Sequence, residues 1–230
     1  MFEEIKEFKG LIDSDIQPAL DELEKIEIDA SRKHLQKLVY TNLVDRFDYA
    51  LDKTLIHLLG VNEQFQDEIA KGLKDAVSEG DLFKMLLSGK DFSEVRQTAL
   101  GKINTALSAT VLRSRHSKKL EKLLKTLGVN QDEYWTPRVN RATGNICGKM
   151  SVQDNRVPLS ILGYADWLYS RRNGLVHGGG KKVMFKDDIK YLQEKFNWKA
   201  TGTVRISLPS IKNAANFYVD LTEMVSKKIK

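Results

Sequence analysis

"ASRKHLQKLVYTNLVDRFDYALDKTLIHLL", residues 30–59, is the stretch that decides the fold class. Leu35, Leu38 or Val39, Leu43, Phe47, Ala50 or Leu51, Leu55 and Leu58 or Leu59 recur at three- and four-residue intervals. That interval is the ~3.6-residue turn of an α-helix, and it is held for about eight turns. A long helix with one apolar face has to bury that face against other elements. Gly60 follows as the expected stop, because glycine takes the left-handed conformation that ends many helices.

Two more stretches carry the same signal. Pro158 opens residues 158–177, with Leu159, Ile161, Leu162, Trp167, Leu168, Leu175 and Val176. Ser210 is placed to cap 210–228, where Ile211, Ala214, Ala215, Phe217, Tyr218, Leu221 and Val225 share a face. With 30–59 these form the expected core. Upstream, Phe2, Ile5, Phe8, Leu11 and Ile12 predict a helix that breaks near Pro18. Ser14 or Asp15 would then cap a second piece carrying Leu20, Leu23 and Ile26.

The middle is less regular. "EQFQDEIAKGLKDAV", "DLFKMLLSG", "SEVRQTALGKINTALSATVL" and "SKKLEKLLKTLGVN" read as shorter helices, the last capped by Ser117 and stopped at Gly128. Residues 129–157 are rich in Asn, Gly and Thr and read as a long loop. "KKVMF" (181–185) and "GTVRISL" (202–208) read as two short strands that pair, with a helix at "DDIKYLQEKF" between them. The expectation is a mainly α fold. It is an antiparallel helical bundle with a small two-stranded β addition near the C-terminus. Residues 1–230 form one domain, with a less regular insertion at about 62–157.

The composition fits a helical globular chain: 230 residues, 41% hydrophobic, 30% charged, 15 Gly and 4 Pro. A net charge of +6 is compatible with a polyanionic partner. The one cysteine, Cys147, leaves no intrachain disulfide, which fits a reducing compartment. No apolar run reaches the ~18–20 residues of a membrane span. "MFEEIKEFKG" lacks the basic and apolar regions of a secretory signal. A cytoplasmic protein with no membrane partner is expected.

Metal and cofactor chemistry find little support. His34, His57, His116 and His177 have no His or Cys at three- or four-residue spacing. Acidic clusters such as "DELEK" and "DDIK" read as solvated helix faces. "EIK" and "EFK" lie in a helical pattern rather than on strands. "HGGGKK" lacks the spacing of a phosphate-binding loop, with Lys182 where Ser or Thr is required. Cys147 has no partner base nearby in sequence. No metal and no cofactor is expected.

"WLYSRRNGLVHGGGKK", residues 167–182, holds the most informative polar group. With ~100° between successive helical residues, Arg172, Asn173 and His177 fall within roughly 140° of arc. Asn173 and His177 are one turn apart. Arginine offers a planar cationic fork to phosphate oxygens. Histidine exchanges a proton near neutral pH. Asparagine positions without charge. Cleavage of RNA through its own 2′-hydroxyl needs a base, an acid and a cation for the crowded phosphorane. One chain has one such histidine, so a two-fold pair of chains would complete the set. A plainer reading is available: basic residues favour a helix C-terminus whatever the function, and Gly178 and Gly179 are ordinary stops.

"RRNGLVHG" resembles the signature of the HEPN superfamily: helical bundles carrying an arginine, four to six residues, then histidine, often with a polar residue just after the arginine. Arg172 with His177 matches the shortest form, with Asn173 at the polar position. Arg171 matches the next spacing, so either arginine fits. The resemblance covers 30–59, 158–177 and the last helix. It implies a metal-independent endoribonuclease, active as a homodimer, of the kind found in toxin–antitoxin and antiphage systems. RNA and an antitoxin or other defence-system protein are the implied partners. Catalytic roles fall on Arg172, Asn173 and His177, and substrate contact on Arg171. The first long helix of such proteins often adds a polar residue to the cleft. Among Asn42, Asp45, Arg46 and Tyr49, the candidates are Arg46 and Asp45. Gly179 stands where one toxin subgroup has tyrosine two residues after the histidine, a departure from that subgroup. Some members are catalytically dead and serve as RNA-binding or protein-interaction modules.

Overall fold

The computed structural model describes residues 3–72, 78–88, 91–107, 111–148, 159–178 and 183–228. The chain is mainly helical with a small two-stranded antiparallel sheet. It divides into two compact units, residues 1–54 with 116–230, and residues 55–115. The stretch expected as one insertion, 62–157, is therefore divided at 115, and everything from His116 onward belongs with the first unit.

The first unit opens on α1 (Glu3–Leu11) and α2 (Gln17–Lys25), joined by a π-helical turn over Ile12–Ile16. The expected break near Pro18 does not occur. Gln17 N–H donates to the carbonyl of Ile12, five residues back, and the helix runs on. Pro18 has no N–H to give to the preceding turn, and the wider π register carries the helix past that gap. Neither Ser14 nor Asp15 caps α2, which follows directly from helical residues. Ile5, Phe8, Ile12, Ile16, Leu20 and Leu23 all stay buried along this rod.

The long helix is α3 (Asp29–Val61). It runs through Gly60, and the stop lies at Asn62, whose side chain accepts from Phe65 N–H at 2.7 Å to start α4 (Glu63–Gly72). Asn62 offers a side-chain acceptor that Gly60 lacks, so the cap forms there. The buried face begins later than its leucines imply: Leu35 and Leu38 are exposed, while Tyr40, Leu43, Val44, Phe47, Leu51 and Leu55 are buried. The second unit continues with α5 (Glu79–Leu87) and α6 (Phe92–Leu107). Residues 73–77, the end of one expected helix, and 108–110, within another, lie outside the described residues.

Back in the first unit, α7 spans His116–Thr126. Ser117 lies inside it, buried, rather than capping it. Gly128 does end it, at φ +68°. The expected long loop holds a short helix, α8 (Gln131–Trp135), capped by Asn130, and a strand, β1 (Pro137–Val139). β1 pairs antiparallel with β2 (Leu159–Ser160), Pro137 opposite Ser160 and Val139 opposite Leu159. The sheet thus differs from the expected one. "KKVMF" and "GTVRISL" meet at one bridge, Val183 with Thr203, and among their described residues form no strand. Phe185 already caps α10 (Lys186–Phe196), and Leu208 already opens α11 (Leu208–Lys228). Each segment is used up by the helix beside it. Lys181 and Lys182 lie outside the described residues, as do Pro158, Gly179 and Gly180.

The helix with the arginines is α9 (Ile161–His177), whose start is capped by Ser160 accepting from Gly163 N–H at 3.1 Å. It packs on α7, α8 and α10. Tyr40 of α3 donates to the carbonyl of Leu168 at 2.9 Å, tying the two long helices together inside the core. Phe8, Phe47 and Tyr218 join α1, α3 and α11 in an aromatic cluster, with Phe47 stacked on Tyr218 at 4.3 Å. Among the described residues no helix is long and apolar enough to cross a membrane.

Candidate functional site

The site forms where the last turns of α9 pass α3, both fixed by the core just described. Arg172 is its hub. Its Nη1 donates to Asn173 Oδ1 at 3.2 Å and lies 3.5 Å from His177 Nε2. Its Nε lies 2.5 Å from Asp45 Oδ1 of α3, an ion pair without the alignment of a hydrogen bond. Four of the six predicted residues are therefore brought together: Arg172, Asn173, His177 and Asp45. His177 is exposed at the helix end, and Gly178 follows it as the C-cap. The arrangement sets an exposed imidazole beside a guanidinium that Asn173 and Asp45 also contact.

Under Arg172 lies a partly buried charged layer. Its guanidinium carbon sits 6.0 Å from the centre of the Tyr169 ring. Tyr169 tilts against His116 at 5.1 Å, and His116 stacks on Phe47 at 5.3 Å. His116 is fully buried. Its Nδ1 is 3.2 Å from Asp48 Oδ1, close enough for an ion pair but not aligned for a hydrogen bond. Lys119 Nζ donates to Asp48 at 2.9 Å and to Asp52 at 2.7 Å. Burial pushes the Asp48 carboxyl up, but His116 and Lys119 outweigh it and hold the group at about 2. Asp52 goes the other way, raised by burial that Lys119 only partly offsets. Burial disfavours the Lys119 charge, yet Asp48 and Asp52 more than restore it and raise its pKa. Burial also raises the Tyr169 hydroxyl.

The two remaining candidates lie elsewhere. Arg171 is buried and points to the other side of α9. It donates to the carbonyl of Arg205 and lies over Trp167 at 4.6 Å and Tyr40 at 5.5 Å. Arg46 is exposed on α3 and lines a small cavity with Glu4 and Glu7 of α1. Among the described residues the polar partners of Arg172 are Asn173, His177 and Asp45, not Arg46.

Sequence reasoning missed the layer of Asp48, Asp52, His116 and Lys119. Asp48 and Asp52 stand one turn apart on a helix whose strongest signal is its apolar stripe, and His116 has no spacing partner that marks it. A carboxylate pair at i, i+4 beside buried positions was the available signal. Its cation lies 71 residues from Asp48, so spacing could not reveal it. Among the described residues no group of three His, Cys, Asp or Glu is placed to hold a metal.

Comparison with protein-family models, with curated proteins and with solved structures gives no match to this chain.

Proposed function

We propose that the chain is a metal-independent endoribonuclease of the HEPN type, a helical-bundle toxin or antiphage effector acting on cytoplasmic RNA as a homodimer. The observation that carries this reading is the convergence of Arg172, Asn173 and His177 at one helix end, with His177 Nε2 3.5 Å from the guanidinium. A base and a phosphate-binding cation stand side by side there.

The chemistry follows from those groups. His177 takes the proton of a ribose 2′-hydroxyl. The freed oxygen attacks the adjacent phosphorus, the new P–O2′ bond forms, and the P–O5′ bond breaks. The 5′-oxygen leaves with a proton from a second acid. That acid is His177 of a second copy, which is why a dimer is part of the proposal. Arg172 counters the charge that grows on the phosphorane. Asn173 and Asp45 hold the guanidinium in place. The products are a 2′,3′-cyclic phosphate and a 5′-hydroxyl. An antitoxin or other defence-system protein would control such an enzyme.

A second reading has one observation in its favour. Asp45 already neutralises Arg172, which suits a non-catalytic RNA-binding or protein-interaction module. Incubation with labelled single-stranded and structured RNA in EDTA separates the two. Cyclic-phosphate products from the wild type and none from His177→Ala support the ribonuclease. Retarded but intact RNA with both proteins supports the module. Cleavage that returns only with magnesium, or that survives His177→Ala, overturns the site.

A further inference from the structure

The opposite face of α9 builds a second site that the ribonuclease reading does not use. Tyr164, Trp167 and Arg171 stand at i, i+3 and i+7, one face of the helix. That face forms one wall of a cavity of about 500 Å³. Thr203, Arg205, Ser210 and Asn213 of α11, and Arg141 line it as well. Three arginines therefore line one space.

Two of the arginines are held by the fold. Arg171 forms the floor at 8% exposure, braced by the Arg205 carbonyl and the Trp167 ring. Arg141 lies over Trp198 at 5.1 Å, and its carbonyl accepts from Asn213 Nδ2 at 3.3 Å. Gly144, at φ +79°, lets that loop press onto α11, where an added Cβ would lie 1.8 Å from the Asn213 carbonyl. Among the described residues lining the cavity there is no carboxylate, and none of the three arginines has an ion-pair partner. A buried charge is ordinarily paired. Arg171, the buried one of the three, is met by a carbonyl and two aromatic rings and faces the cavity.

We propose that this cavity binds a small phosphorylated ligand carrying at least two linked phosphoryl groups. Guanidinium forks match phosphate oxygens, and hydroxyls of Thr203 and Ser210 add donors at the rim. The volume lies in the ~300–1,000 Å³ range that holds whole small ligands, well beyond one phosphate. The concave shape and the sunken Arg171 favour a compact ligand over a polynucleotide strand. The inference is independent of the reaction at His177.

Calorimetry on the full chain with inorganic pyrophosphate, tripolyphosphate and orthophosphate tests it. One pyrophosphate or tripolyphosphate is expected per chain, bound more tightly than orthophosphate. Arg205→Ala and Arg141→Ala, both at exposed side chains, should each weaken binding about tenfold or more, and Arg172→Ala should leave it unchanged. In the wild type, pyrophosphate should protect Arg141 and Arg205 from phenylglyoxal, read by mass spectrometry, which needs no variant to fold. No binding at millimolar ligand, equal binding of orthophosphate, or loss through Arg172→Ala instead would each overturn the proposal. So would loss of RNA binding in the Arg141 and Arg205 variants with no pyrophosphate bound, which would assign the cavity to an RNA path.

Discussion

Arg172 Nη1 lies 3.5 Å from His177 Nε2, five residues along the same helix. A guanidinium only donates, so Nε2 can meet it as an acceptor in the tautomer that carries the ring proton on Nδ1. The imidazole is thus oriented by the same cation that would hold the phosphate.

If this pair does the chemistry, His177→Ala abolishes cleavage and leaves the unfolding midpoint near wild type, because the side chain is exposed. Arg172→Ala lowers the rate about a hundredfold or more, the usual cost of removing a group that meets transition-state charge. Arg172→Lys recovers only part, since a point charge cannot make the forked contact. Single-turnover RNA cleavage in chelator checks all three, and a wild-type rate in His177→Ala would end the assignment.

Asp45 tests the positioning of the hub. Asp45→Asn removes the charge that partly neutralises Arg172 while keeping the shape. RNA binding should tighten, most at low salt. Turnover should fall about tenfold, the scale of one charge-assisted contact. A fall in kcat with KM unchanged or lower marks positioning. An unchanged kcat would show that Asp45 does not orient the guanidinium.

Much of the fold was legible because three helices announce themselves by period: α3, α9 and α11 fall within a few residues of 30–59, 158–177 and 210–228. What period cannot show is which element meets which. The pairing of Pro137 with Ser160 crosses more than twenty residues and uses strands too short to alternate. The π turn before Pro18 keeps the apolar face in register, so the sequence looks broken where the helix is not. At the site, Arg172, Asn173 and His177 are local and were legible as a group. Arg171 was not separable from Arg172 by spacing. Its burial follows from Trp167 and Arg205, partners on the other side of the helix.

The buried layer beneath the site makes stability depend on pH. Asp48 titrates at about 2 in the fold, against ~3.9 unfolded. A depressed carboxyl contributes stability that is fully present above the unfolded value and is lost as pH falls through the folded one. Its contribution is on the order of 2 kcal/mol, lost between about pH 5 and pH 1. Asp52, raised by burial, acts in the opposite sense and softens the loss. Urea unfolding from pH 6 to pH 2 should show this fall, and Asp48→Asn should start less stable and lose less. Parallel curves for the two proteins would remove Asp48 as the cause.

Gly174 gives the sharpest test of how α9 is seated. It is a helical glycine between Asn173 and Leu175, and an added Cβ would lie 2.5 Å from the Val183 carbonyl oxygen and 3.0 Å from its carbon. Both atoms are backbone and cannot rotate away. Helix propensity alone favours alanine over glycine by ~1 kcal/mol. Overpacking of this kind costs ~1–3 kcal/mol, so the clash prevails and Gly174→Ala is destabilised. Gly10 of α1 supplies the control: nothing lies within 4 Å of its added Cβ, so Gly10→Ala should gain stability. The Gly174 variant should also lose turnover, because relieving the clash shifts the turn that carries Arg172 and His177 against Asp45. Chemical unfolding and single-turnover rates read the two effects separately. Stabilisation of both variants would mean that the 183–184 segment does not press on α9.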